Sequence, residues 1–136
     1  MVMYALDTNI IIHYLYKNAA VIQNLEQAVE NGHDLVIPHI VDYEIRRGFE
    51  IQSAPRNEAN YNALSQGQDF CRVVDMGDAH WSTTAQVYAG LYRKHFTVGD
   101  IDIIIAAFCI YNGYTLVSDN TKDFVNINGL QLTNWT

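Results

Sequence analysis

Four acidic residues stand so far apart in the chain that only a fold can gather them: Asp7, Glu44, Asp102 and Asp119. Each falls at or just past the end of an apolar run that reads as a strand, or on a helix beside one. Asp7 closes the run Val2–Leu6, and an Asp at the end of a buried strand is costly to place without a partner. Open parallel sheets bind ligands outside the carboxyl ends of their strands, which is where these acids would lie. The plainer roles are that Asp7 or Thr8 caps the next helix and that Glu44 is a solvated helix residue. Carboxylates gathered at one end of a sheet repel one another, and such a cluster persists when a cation neutralises it. There is no metal-type spacing of Cys or His, so the donors are hard oxygens suited to Mg²⁺ or Mn²⁺. Between carboxylates such ions typically do phosphoryl-oxygen chemistry: they activate water, steady a leaving oxygen and clamp a phosphate.

The elements that must position these acids alternate along the chain. Val2–Leu6 carries no alternating polar face, as expected of a central parallel strand covered on both sides. The spacing predicts helices over 9–16 and 19–31, the second ended by Gly32 as a left-handed cap. His13 reads as a packed or half-exposed helix residue. Asp34–Pro38 is a second buried strand, and a helix from Ile40 follows with Val41, Ile45 and Phe49 on its apolar row. Pro55–Gln68 is the most polar stretch, with Tyr61 and Leu64 as a thin apolar stripe. It reads as a helical arm that packs weakly on the body or on another chain. Phe70–Met76 is a third strand, followed by a long helix that Asp78 should cap and that Arg93, Lys94 and His95 close favourably against its dipole. The segment after Val98 is apolar nearly all round beyond Asp102 and ends at Gly113, so it should be a buried helix. Asp100 and Asp102, two apart, point roughly 200° away from each other on a helix. Thr115–Ser118 is a fourth strand, with Asp119-Asn120 just past its end, and Leu130–Leu132 an edge strand. This alternation gives an α/β domain, a mostly parallel sheet of four or five strands with helices on both faces.

The chain has 136 residues, 49% apolar and 17% charged, which fits one globular domain over 1–136. The longest apolar stretch is too short to span a bilayer, and no basic, apolar leader opens the chain, so a cytoplasmic protein is expected. Cys71 and Cys109 read as two buried thiols. A net charge of −7 argues against coating nucleic acid by general electrostatics. It is compatible with a nuclease whose acids surround metal ions.

Four stretches carry a family resemblance: Leu6-Asp7-Thr8-Asn9, Glu44-Ile-Arg-Arg-Gly48, Asp102-Ile-Ile-Ile-Ala-Ala107, and Gly113 through Phe124, with a similar ending over Gly129–Trp135. Together they resemble a PIN-domain ribonuclease of the VapC type, the toxin half of a toxin–antitoxin pair, over nearly the whole chain. The resemblance implies a PIN-like three-layer sandwich and a Mg²⁺- or Mn²⁺-dependent endoribonuclease with a 5′-phosphate and a 3′-hydroxyl as products. It also implies tRNA as a substrate, a small VapB-type antitoxin that masks the active site, and a homodimer. Asp7, Glu44 and Asp102 match the core metal-binding acids, and Asn9 and Ser118 match polar positions that hold them. The fourth acid of many relatives falls on Asn120 here, while Asp119 occupies the slot between. The family pattern selects Asp102 as the ligand and leaves Asp100 to cap its helix.

Two divalent ions would leave the net charge at −3, so RNA affinity must come from local cations and stacking. Arg46 and Arg47, within a turn of Glu44, and the pair Arg93-Lys94 are the candidates; ion pairing and helix-end placement are their plainer roles. Two other readings exist. A catalytically silent PIN-fold interaction module would show departures at the core acids, and all three are present. An aspartyl-nucleophile phosphatase usually has a second Asp two residues after the first, where this chain has Asn9.

Overall fold

The structure is a computed structural model describing residues 1–136. Five strands form one sheet: β1 (Met3–Leu6), β2 (Asp34–Pro38), β3 (Cys71–Val74), β4 (Thr115–Val117) and β5 (Gln131–Thr133). Their order is β3-β2-β1-β4-β5, and every pairing is parallel. β1 is central because it is apolar throughout; Ala5 and Leu6 are buried, as are Leu35, Val36 and Ile37 of β2. Covered faces are what consecutive rather than alternating apolar residues require.

The helices are α1 (Thr8–Leu15), α2 (Ala19–Glu30), α3 (His39–Ile51), α4 (Pro55–Gln66), α5 (Ala79–Arg93), α6 (Asp100–Asn112) and the short α7 (Thr121–Phe124). The connections through α1–α4 step from β1 outward to β3. Those through α5–α7 return to β4 and continue to β5. Right-handed crossovers place the two sets on opposite faces. The strand order therefore reverses at β1, and a crevice opens between the carboxyl ends of β1 and β4, the usual ligand position in such sheets.

Several expectations change. α4 is no loose arm: the Tyr61 ring is fully buried and Leu64 nearly so. The Tyr61 hydroxyl donates to Asp42 Oδ1 at 2.6 Å, and the ring packs 6.2 Å from Phe49. Two apolar side chains suffice to seat the helix because one is large and its polar end is satisfied. Asp78 makes no capping hydrogen bond, and neither does Asp100; Gly99 takes the cap position of α6 and Asp100 its exposed first turn. Asp100 can still interact favourably with the positive end of the helix dipole. No helix is long and apolar enough to cross a membrane. Cys71 and Cys109 are buried free thiols, their pKa values pushed up by burial.

Candidate active site

Asp7 sits where β1 becomes α1, and it does two jobs at once. Its backbone N–H continues the ladder to the Val117 carbonyl at 3.0 Å. Its Oδ1 accepts the Thr8 N–H at 2.8 Å, so the capping role is real. Its Oδ2 accepts the Ser118 hydroxyl at 2.7 Å and the Asn9 amide at 3.1 Å. The carboxylate is 3% exposed. Burial raises its pKa; Ser118 and Thr8 oppose this, Glu44 adds to it, and Asn9 opposes it.

Ser118 and Asn9 tie the two sides of the crevice together. The Asn9 amide also donates to Ser118 Oγ at 3.2 Å, and its carbonyl oxygen accepts the Asp119 N–H at 3.0 Å. The Asn120 N–H donates to the same Ser118 oxygen at 3.0 Å. With donors on both sides of it, the serine hydroxyl is left to point its proton at Asp7.

Glu44 reaches the site from α3. Its Oε1 accepts the Thr8 hydroxyl at 2.6 Å, and its Oε2 lies 3.7 Å from Arg47. Asp102 arrives from the first turn of α6. Its pKa is pushed up to about 6 by burial and then by the charges of Asp7, Asp123 and Glu44. Asn120 donates from one amide nitrogen to Asp102 Oδ2 and Asp123 Oδ2, each at 3.3 Å. The acids that act on one another are thus Asp7, Glu44, Asp102 and Asp123.

Asp123 was not singled out in the sequence. It lies on α7, a helix of four residues with no legible period. Asp119 is directed elsewhere: its carboxylate contacts His13 Nε2 at 2.7 Å. The signal available was the Asn120/Asp123 spacing of three, which brings an amide and a carboxylate together on one short turn.

The candidate cations also separate. Arg46 is engaged away from the acids: its Nε donates to both Asp42 oxygens, at 3.2 and 3.0 Å, and its guanidinium lies 5.6 Å from the Tyr61 ring centre. Arg47 is the only basic side chain in ion-pair contact with any of the four acids. Arg93 and Lys94 stand exposed at the end of α5 and join no ion pair. Next to the acids, Glu44 and Thr8 open onto a cavity of about 290 Å³ lined largely by Ile12, Tyr16, Ile45 and Phe49.

The donor set is suited to a hard divalent cation: four carboxylates, of which Asp7 and Asp102 are raised by burial and by neighbouring acids, with hydrogen bonds fixing some oxygens. They do not close on one point, since no three metal-ligating side chains form a ready-made coordination group. The site therefore matches such an ion in chemistry and placement rather than as a preformed cage.

Comparison with known proteins agrees with this architecture. The family model of the PIN domain matches residues 4–130. Ribonuclease VapC2 of Rickettsia felis is 26% identical over 132 residues, 97% of each chain. The tRNA(fMet)-specific endonuclease VapC of Shigella flexneri is 28% identical over 136 residues, the whole of both chains. Among solved structures, VapBC2 from Rickettsia felis bound to a DNA fragment from their promoter superposes with a TM-score of 0.84 at 27% identity, covering 98% of this chain and 99% of that one. The parallel sheet, the crevice at its centre and the acids around it are those of a chain that belongs to the PIN domain family.

Proposed function

We propose that this protein is a metal-dependent endoribonuclease, the toxin of a toxin–antitoxin pair, that hydrolyses RNA phosphodiesters to 5′-phosphate and 3′-hydroxyl ends. The observation that carries this reading is the convergence of Asp7, Glu44, Asp102 and Asp123 from four elements on the crevice between β1 and β4. The similarity to VapC ribonucleases supports the reaction, and the tRNA(fMet)-specific relative supports tRNA as the substrate. The VapBC complexes among its structural neighbours support a small VapB-type antitoxin as partner. A homodimer is part of the same reading.

Asp7, Glu44 and Asp102 would hold Mg²⁺ or Mn²⁺, with Asp123 completing the acidic ring in place of Asp119. When bound, such an ion supplies water activation and neutralises charge on the phosphodiester. The chain's own contribution is orientation. Ser118 and Asn9 fix Asp7, Thr8 fixes Glu44, and Asn120 holds Asp102 and Asp123, so each carboxylate is oriented at the crevice and a cation would draw them together. No histidine is required as a base.

The test is cleavage of tRNA by the purified protein with Mg²⁺ or Mn²⁺. EDTA should stop it, and Asp102→Asn should abolish it. Asp123→Asn should lower the rate by about 10- to 100-fold or more, while Asp119→Asn retains most activity. Cleavage that survives exhaustive chelation overturns the metal mechanism, and equal losses in the Asp119 and Asp123 variants overturn the choice of fourth acid.

A further inference from the structure

We propose that His13 and Asp119 form a clip across the crevice that sets where α7 begins, so that His13 is a positioning residue acting through Asp119 and Asn120 on Asp102 and Asp123. This rests on the metal-dependent reading above and names what keeps its fourth acid in place.

Asn9 and His13 lie four apart on α1 and share one face of that helix. Both grip the same residue of the opposite wall. The Asn9 carbonyl oxygen accepts the Asp119 N–H at 3.0 Å, and His13 Nε2 meets the Asp119 carboxylate at 2.7 Å. An ionised carboxylate only accepts, so Nε2 donates. The main chain and the side chain of Asp119 are thus both fastened to α1, the second by a bond between residues 106 positions apart.

The clip fastens the start of α7. The next residue, Asn120, takes the cap position of that helix, yet its side chain makes no capping bond. Its amide nitrogen goes instead to Asp102 Oδ2 and Asp123 Oδ2, each at 3.3 Å, and its N–H to Ser118 Oγ at 3.0 Å. The two 3.3 Å bonds lie at the long limit for N–H···O, so a small displacement of the loop loses both. α7 has only four residues, too few to hold a helix by its own hydrogen bonds. Buried Phe124 fixes its far end in the core, and the clip fixes its near end.

The pair is poorly suited to other work. The two side chains are 36% and 34% exposed, and a contact so open to water adds little stability. Nor does Asp119 act as a fifth member of the acidic ring: the charges that raise Asp102 are those of Asp7, Asp123 and Glu44. What the contact does hold is the position of the residue beside Asn120.

The experiment titrates Mn²⁺ into the full chain and counts the free ion by its EPR signal in solution, which gives a Kd for each variant. His13→Ala and Asp119→Ala should each weaken Mn²⁺ binding about 10-fold, the lower end for residues that support metal ligands. His13→Gln keeps a donor and Asp119→Asn an acceptor, so both should stay within about twofold of the parent. The double alanine variant should match either single one, and His13→Ala should add nothing in an Asn120→Ala background. Melting temperatures in EDTA, taken alongside, should stay near the parent value in the His13 and Asp119 variants. Parent-like Kd values in both alanine variants overturn the clip. An Asp119→Asn variant as weak as Asp119→Ala also overturns it, because the charge of Asp119 rather than its bond to His13 would then matter. If the parent binds no Mn²⁺, the metal-dependent reading fails and the clip with it. If the variants rank as expected but the parent cleaves no RNA, the nuclease reading alone fails and the clip stands.

Discussion

At the scale of single residues, the acids of this site are held at a cost that ordinary hydrogen bonding only partly offsets. Asp102 illustrates it, since burial and three neighbouring carboxylates push its pKa up to about 6. An unfolded Asp titrates near 3.9. Between those values the folded chain binds more protons than the unfolded one, so stability from this group is present below about pH 4 and is lost as pH rises through about 6. Asp7 is shifted in the same direction. In EDTA, the melting temperature should therefore fall less between pH 5 and pH 7.5 in Asp102→Asn than in the parent. A pH profile identical in the two proteins would show that Asp102 titrates normally. The strain has a use: a cation that neutralises the cluster reverses the penalty and displaces the proton, so affinity for it should rise with pH.

At the scale of elements, α3 and α4 are joined by a polar contact inside an apolar seam. Asp42 is 8% exposed and receives both Tyr61 and Arg46. Tyr61→Phe keeps the fully buried ring and removes only the donor, so it should cost about 1–3 kcal/mol in urea melts. A loss below a few tenths would mean that Arg46 alone satisfies Asp42. This contact was not legible in the sequence, where Asp42 and Tyr61 lie in different helices and α4 looks mostly polar. Other features were plain. Asp34–Pro38 reads as a strand because it is a compact apolar run ended by proline, and it is one. Gly32 and Gly113 stop their helices at φ 78° and 70°, as glycine there suggests. Lys17 and His95 end α1 and α5 in the same left-handed conformation, and nothing in their residue types announces it. Of the site, Asp7, Glu44 and Asp102 were legible because each follows or flanks a strong apolar run. Asp123 was not, because α7 is too short to show a period. Arg46 and Arg47 are adjacent and chemically identical; only the positions of Asp42 and Tyr43 separate their roles.

At the scale of the whole molecule, the metal and the fold should be linked. Acids from the β1–α1 junction, α3, α6 and α7 meet only in the native chain, so an ion held by all of them binds the folded state and not the unfolded one. At a concentration one hundred times its Kd, that linkage contributes about 2.7 kcal/mol. Thermal melts in increasing Mn²⁺ should show a saturable rise in melting temperature, and Asp102→Asn should lose most of it. A rise reproduced by NaCl at equal ionic strength would reduce the effect to screening of the −7 net charge.

The bond from Ser118 to Asp7 joins residues 111 positions apart, and it sets an order on biosynthesis. β1 and β2 can pair early, whereas β4, which completes the crevice, is made late. At roughly 5–20 residues per second, a ribosome needs roughly 6–23 s to pass from Asp7 to Asp123. During that interval the nascent chain holds Asp7 and Glu44 without the Ser118 hydroxyl, Asp102 or Asp123. A nuclease of the kind proposed above would thereby stay incomplete while still attached to the ribosome, its acids assembled only once the last quarter of the chain has been made.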